Sequence, residues 1–192
     1  AFYECRALNT IYNNAENHRL RVHFPTGIYG NTYKASQAFC FVERQRGVDE
    51  KGIVSFEPEP YEKNTSGIVS VVNGEEALSF IGVNGIHEAG VSKDGVISVT
   101  LFRSVGRMFH ETNPTFCQLQ EDMSFKYALT FEKDNSTLCN MQRDMKAPLY
   151  SISNTCINAK GSLIEADNNS VVLSIVKPSL YGNEVVLRIY IF

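Results

Sequence analysis

The chain reads as an all-β protein of antiparallel strands, and three features of its text predict this. Short apolar runs alternate with polar residues along most of its length. The turn dipeptides Asn73-Gly74, Asn84-Gly85 and Asp94-Gly95 recur about ten residues apart, as the corners of a sandwich or a barrel do. Only one stretch carries helical spacing.

In chain order, Arg19 to Phe24 alternates, placing Leu20, Val22 and Phe24 on a core face and Arg19, Arg21 and His23 on a wet or functional face. Further strands are predicted at Phe39 to Glu43, Ile68 to Val72 and Ala77 to Val83, with Asn73-Gly74 turning between the last two. In Ile97 to Phe102, alternation puts Ile97, Val99 and Leu101 on one side and Val96, Ser98, Thr100 and Phe102 on the other. Arg103 then closes the apolar Ile97-Val99-Leu101 face. A guanidinium in that place is either paired structurally or presented to a ligand, and the residues alone leave both readings open. Ser124 to Phe131, Val171 to Val176 and Val185 to Ile191 complete the strands, the last two joined through Gly182-Asn183. Asp134 to Ala147 breaks the rhythm: Leu138, Met141 and Met145 recur at helical spacing and Pro148 stops the run, which predicts one helix lying on the sheet rim. Lys51 to Asn64, with Pro58, Pro60 and several charges, reads as an exposed loop.

At 192 residues, 43% hydrophobic and 20% charged, the chain suits one β-domain spanning 1–192 with a sizeable core. The net charge of −3 argues against nucleic acid or an anionic membrane as partner. No stretch approaches the roughly 18 apolar residues of a membrane span, and no basic-then-apolar leader opens the chain. Cys5, Cys40, Cys117, Cys139 and Cys156 are odd in number, widely spaced and without a Cys-x-x-Cys pair, so reduced thiols and a cytoplasmic setting are expected. Asn-x-Ser/Thr sequons at Asn64, Asn135 and Asn168 carry no weight without a secretory context.

Several blocks carry a family resemblance. Ser98 to Arg107, reading Ser-Val-Thr-Leu-Phe-Arg-Ser-Val-Gly-Arg, resembles a Thr-Leu-Leu-Arg-Ser-Val-Gly segment in the C-terminal β-domain of bacterial glycoside hydrolase family 38 enzymes, the α-mannosidases and mannosylglycerate hydrolases. Asn17 to Gly27, Phe41 to Arg44 and Val171 to Tyr190 are similar to other strands of that domain, in the same order. The resemblance implies an antiparallel, supersandwich-like β-sandwich with one short helix near residues 135–147. It implies further that the chain is a piece of a larger glycosidase, with sequence missing from both ends, and that a catalytic portion of the same polypeptide is its partner. In the family that portion holds a zinc ion through histidine and aspartate, supplies an aspartate nucleophile and cleaves α-mannosides with retention. A homodimer of the parent enzyme is also expected.

Within this chain no catalytic residue and no metal ligand set are predicted. His18 and His23 differ by five and fall on opposite strand faces, Glu75-Glu76, Glu121-Asp122 and Glu57/Glu59 sit in turn-like text, and Ser104 and Ser162 lack a Gly-x-Ser-x-Gly frame. The chain alone is therefore expected to be inactive, with no cofactor of its own. The family match makes Arg103, and more weakly Arg107, the residues expected at the rim of the sugar site, where a guanidinium donates a fork of hydrogen bonds to hydroxyls or a carboxylate. The alternative is a free-standing carbohydrate-binding or structural interaction sandwich. Nine tyrosines and twelve phenylalanines favour it, but tryptophan is absent and most of these aromatics fall at predicted core-facing positions.

Overall fold

The computed structural model describes residues 4–48, 60–106, 115–147, 161–162, 164–168 and 170–191. Its larger sheet is antiparallel and six-stranded, in the order β1 (Glu4–Tyr12), β10 (Asp122–Thr130), β7 (Glu76–Gly82), β6 (Ile68–Asn73), β3 (Thr32–Ser36) and β4 (Phe41–Gln45). Facing it is a four-stranded sheet ordered β2 (Arg19–Pro25), β9 (Val96–Arg103), β8 (Glu88–Val91) and β5 (Lys63–Asn64). The antiparallel sandwich predicted from sequence is what these two sheets make. A hairpin of β11 (Val171–Pro178) and β12 (Val185–Ile191) forms a third, separate sheet.

One apolar layer joins the two large sheets. Leu20, Val22 and Phe24 of β2 and Ile97, Val99 and Leu101 of β9 meet Val69, Val71, Phe80, Phe125 and Tyr127 from the facing strands. Phe24 lies 5.7 Å from Phe80 and 5.8 Å from Tyr127, and those two lie 5.5 Å apart, so three rings in tilted and edge contact bridge the gap. Burial of each such ring contributes about 1.5–3 kcal/mol.

The central strands of the larger sheet are buried on both faces. Ile68 and Ile81 point away from the sandwich and pack with Val83 and Ala128 under Leu138, Met141 and Met145 of α1 (Asn135–Lys146). The helix therefore covers the outer face of the sheet, not its rim as expected. Gln142 ties it down by donating to Ser66 O and Gly82 O, both at 2.8 Å. That close approach requires glycine at 67, whose φ is +106°. A Cβ there would stand 2.4 Å from Gly82 O and 2.6 Å from Gln142 Nε2.

The hairpin rests against α1. Arg143 donates to Leu173 O at 3.4 Å, Phe39 meets Tyr190 edge-on at 5.8 Å, and Cys139 sits beside Tyr190, where burial pushes its thiol up to about 11. Val185, Leu187, Ile189 and Ile191 on the hairpin are exposed. Cys5, Cys40, Cys117 and Cys139 form no disulfide with one another, and Cys156 lies outside the described residues.

Turn chemistry acts as predicted at two of the three dipeptides. β6 and β7 are joined through Gly74 at φ +59°, and β8 and β9 through Gly95 at φ +78°. Asn84-Gly85, both at positive φ, instead carries the chain from one sheet to the other, since β7 and β8 belong to different sheets. Four strands, β1, β3, β5 and β8, are additional to those read from the sequence.

The start of α1 is fixed by Asp134, whose carboxylate accepts from the Ser136 hydroxyl at 2.6 Å and from Thr137 N at 2.8 Å. These bonds, Ser136 first, hold its pKa below the ordinary carboxylate value. Asp134→Ala is expected to lower stability by about 1 kcal/mol at neutral pH. The difference from wild type is full above the unfolded-chain pKa of about 4 and vanishes as pH falls through the lower folded-state value. Urea unfolding of both proteins across that range checks this.

Candidate functional site

The site of interest is the outer face of the four-stranded sheet. Arg19, Arg21 and His23 leave β2 on the side opposite Leu20, Val22 and Phe24, as alternation demands. On β9 the simple alternation breaks. Arg19 pairs with Arg103 and Leu20 with Phe102, but Arg21 pairs with Thr100, so Leu101 is an extra residue opposite the β2 step from Leu20 to Arg21. This bulge corrects the expectation for Phe102 and Arg103. Leu101 and Phe102 both enter the core, where Phe102 stacks on Phe125 at 6.1 Å, and Arg103 turns outward to the side of Arg19. Arg103 therefore does not close the Ile97-Val99-Leu101 face.

Turned outward, it joins a ladder of charge. Arg103 Nη2 lies 3.4 Å from Glu88 Oε1, and the same oxygen accepts from Arg19 Nη1 at 3.1 Å. Arg19 Nη2 reaches Glu62 Oε1 at 3.2 Å, and Arg21 Nη1 donates to that oxygen as well. Three guanidiniums thus share two carboxylates. The Glu62 side chain is 9% exposed and the Arg103 side chain 53% exposed, so the ladder runs from a buried end at Glu62 to an open end at Arg103. Beyond Arg21, His23 Nδ1 and Ser98 Oγ are hydrogen-bonded at 2.9 Å, with Tyr61 Oη 3.4 Å from the same hydroxyl. Thr100 Oγ1, between the two groups, is buried and has no hydrogen-bond partner among the described residues.

The residues after Arg103 hold the strand end in place. Ser104 is 1% exposed; its N–H donates to His18 O at 2.7 Å and its Oγ accepts from His18 N at 3.1 Å. Val105 N donates to Cys117 O at 3.0 Å, and Gly106 N donates to Asn17 Oδ1. A Cβ at Gly106 would stand 2.5 Å from Asn17 Oδ1 and 2.7 Å from Gln118 Nε2, so a larger residue would have to displace those two side-chain ends. The Ser-Val-Gly part of the segment is thus an anchor, and among its described residues Arg103 is the one that is exposed. Arg107 lies outside the described residues.

Chemically, the face can bind and orient. A half-exposed guanidinium with one weak ion-pair contact has donors left for hydroxyls or a carboxylate. Among the described residues no group of three or more His, Cys, Asp or Glu is placed to hold a metal ion. His18 faces Phe102 at 5.1 Å while His23 faces Ser98. Glu75 pairs with Lys133 at 2.9 Å on the surface. Sequence reasoning placed Arg19, Arg21 and His23 on this face but missed Glu62, Glu88 and Tyr61, which reach it from other strands and loops. Of the aromatics, Phe24, Tyr33, Phe80, Phe102, Phe125 and Tyr127 are in the core, whereas Tyr12, Tyr29, Phe39, Phe131 and Tyr181 are exposed and scattered. No helix among the described residues is long and apolar enough to cross a membrane.

No family model matches the chain. It is 28% identical over 188 residues to a protein of Halalkalibacterium halodurans named as a mannosylglycerate hydrolase, a match covering 93% of this chain and 20% of that protein. Its fold matches an α-mannosidase from Enterococcus faecalis V583 with a TM-score of 0.79 at 24% identity, covering 97% of this chain and 22% of the enzyme. It also matches an Enterococcus faecalis protein in glycosyl hydrolase family 38, with a TM-score of 0.68 at 22% identity and the same coverage. The resemblance carried by Ser98 to Arg107 and its companion blocks is borne out, and the chain spans about a fifth of the length of these relatives.

The ladder's gradient of burial sets its energetics. Glu62→Gln, which removes the charge shared by Arg19 and Arg21, is expected to cost about 1–3 kcal/mol. Arg103→Ala, at the open end, stays within about 0.5 kcal/mol of wild type. Thermal and urea unfolding of the two variants measure the contrast.

Proposed function

We propose that this chain is an accessory β-domain of an α-mannosidase-type glycoside hydrolase, packed on a catalytic portion in the same polypeptide and lending Arg103 to the rim of the sugar site. The observation that carries the reading is full-length similarity of this chain to about a fifth of enzymes that bear such names. The geometry supports the role. A strand end clamped by Ser104 and Gly106 holds Arg103 at a fixed height on the outer face, and Glu88 restrains its guanidinium while leaving it open. A pre-positioned fork of this kind loses little freedom on meeting a hydroxyl pair or a carboxylate, which is what positioning a sugar requires.

In this reading the zinc ion, the nucleophile and the retaining chemistry belong to the catalytic portion, and the described residues of this chain make no metal site. Arg103 acts only by binding and orienting substrate. The α-mannoside is the proposed substrate class, and a dimer of the parent enzyme is part of the same proposal.

Steady-state kinetics of the parent enzyme carrying Arg103→Ala test it. The expected result is a kcat/KM reduced about tenfold, the loss of one charge-assisted hydrogen bond, with unchanged thermal stability. Unchanged kcat and KM would overturn the role of Arg103. Saturable binding of methyl α-mannoside by the 192-residue chain alone would instead make it a carbohydrate-binding module.

A further inference from the structure

At the other end of the four-stranded sheet, where β9 begins, Arg46 is 5% exposed and pairs with no carboxylate among the described residues. Its Nε donates to Thr32 O at 2.9 Å and its Nη1 to Ile28 O at 2.7 Å, while Nη2 is buried with no hydrogen-bond partner. Two carbonyl oxygens therefore satisfy part of the guanidinium, and no described carboxylate balances its charge. Arginine does not escape such a place by losing its proton, although desolvation pulls its pKa down. A buried cation of this kind calls for an anion.

A cleft of about 460 Å³ lies beside it, lined by Gly30, Asn31, Gln45, Arg46, Val48 and Lys93. Its lining brings two cations and two amide side chains together and, among the described residues, includes no acid. Lys93 is exposed and lies with its stem across Gly47, where a Cβ would stand 2.9 Å from Lys93 Cγ. Gly30 lies directly over the guanidinium, since a Cβ there would stand 3.1 Å from Nη2. Gly95 lies against its other side, 3.3 Å being the corresponding distance to Nη1. Glycine at these positions makes room for the guanidinium beneath the backbone and leaves the cleft free of side chains above it.

We propose that this cleft is a binding site for a small oxyanion, a carboxylate or a tetrahedral phosphate or sulfate group. The anion lies in the cleft over Gly30, drawn by the charge of the Arg46 guanidinium beneath the backbone, and is closed in by the Lys93 ammonium, with the Asn31 and Gln45 amides at its sides. The site is separate from Arg103, because β9 starts next to Gly95 and ends at Arg103, about 23 Å away along an eight-residue strand. It does not depend on the proposed glycosidase role.

Titration of the 192-residue chain with sodium sulfate, sodium phosphate and sodium acetate at constant ionic strength, followed by amide chemical shifts, tests the proposal. The expected result is saturable binding of at least one of the three, with shifts at Gly30, Asn31, Gln45 and Gly47. Lys93→Gln should weaken that binding about fivefold or more, and Arg46→Gln should abolish it. Stronger binding of acetate assigns a carboxylate ligand, and stronger binding of sulfate or phosphate a tetrahedral one. Because Lys93 is exposed, its variant keeps the test decisive even if Arg46→Gln does not fold. The proposal is overturned if none of the three anions saturates, or if Lys93→Gln binds as wild type does.

Discussion

The apolar layer shared by the two large sheets sets the position of everything else. Phe24 reaches from β2 to touch both Phe80 and Tyr127, and Phe102 reaches from β9 to Phe125, so β2 and β9 are each pinned by a ring from the larger sheet. The bulge at Leu101 follows from that demand. With strict alternation Phe102 would face water and Arg103 the core; one extra residue in β9 buries both Leu101 and Phe102 and sends the charge outward. The energetic preference is plain, since burying an unpaired guanidinium costs far more than a local break in one ladder. The outward position of Arg103 is thus a by-product of satisfying the core.

The same molecule holds a second arginine under opposite conditions. Arg103 is open and shares Glu88, whereas Arg46 is enclosed and bonded only to carbonyls. Solvent moderates the first, so its removal changes stability little. The second is enclosed and meets no carboxylate among the described residues, which makes its surroundings a place where a ligand changes the energetics most. Chain geometry explains how such a residue is tolerated: it follows β4, within a frame of three glycines, and its N–H groups tie the β2 to β3 connection to the start of β3.

Much of the sandwich was legible because its strands obey simple periods. Arg19 to Phe24 separates core from solvent without error, and Leu138, Met141 and Met145 mark the buried side of α1. Strands were missed where the period is short or broken: β8 has four residues with a glycine among them, β5 has two, and β1 is an edge strand of mixed exposure. The Leu101 bulge leaves no mark in the text, since a one-residue shift looks like continued alternation until the partner strand is known. Asn84-Gly85 has the composition of a hairpin but crosses between sheets, because local turn chemistry fixes a bend and not the sheet to which the next strand is added. Of the candidate site, Arg103 was named through its resemblance, and the outward side of β2 through its alternation. Glu62, Glu88 and the enclosure of Arg46 depend on contacts between distant segments, which no local pattern encodes.

The accessory-domain account is tested most directly by reading the gene upstream of the Ala1 codon. The account predicts an open frame that continues into this sequence and encodes a catalytic portion with zinc-binding histidine and aspartate and an aspartate nucleophile. A start codon at this point, with no such portion in frame, would contradict it and leave a free-standing β-domain.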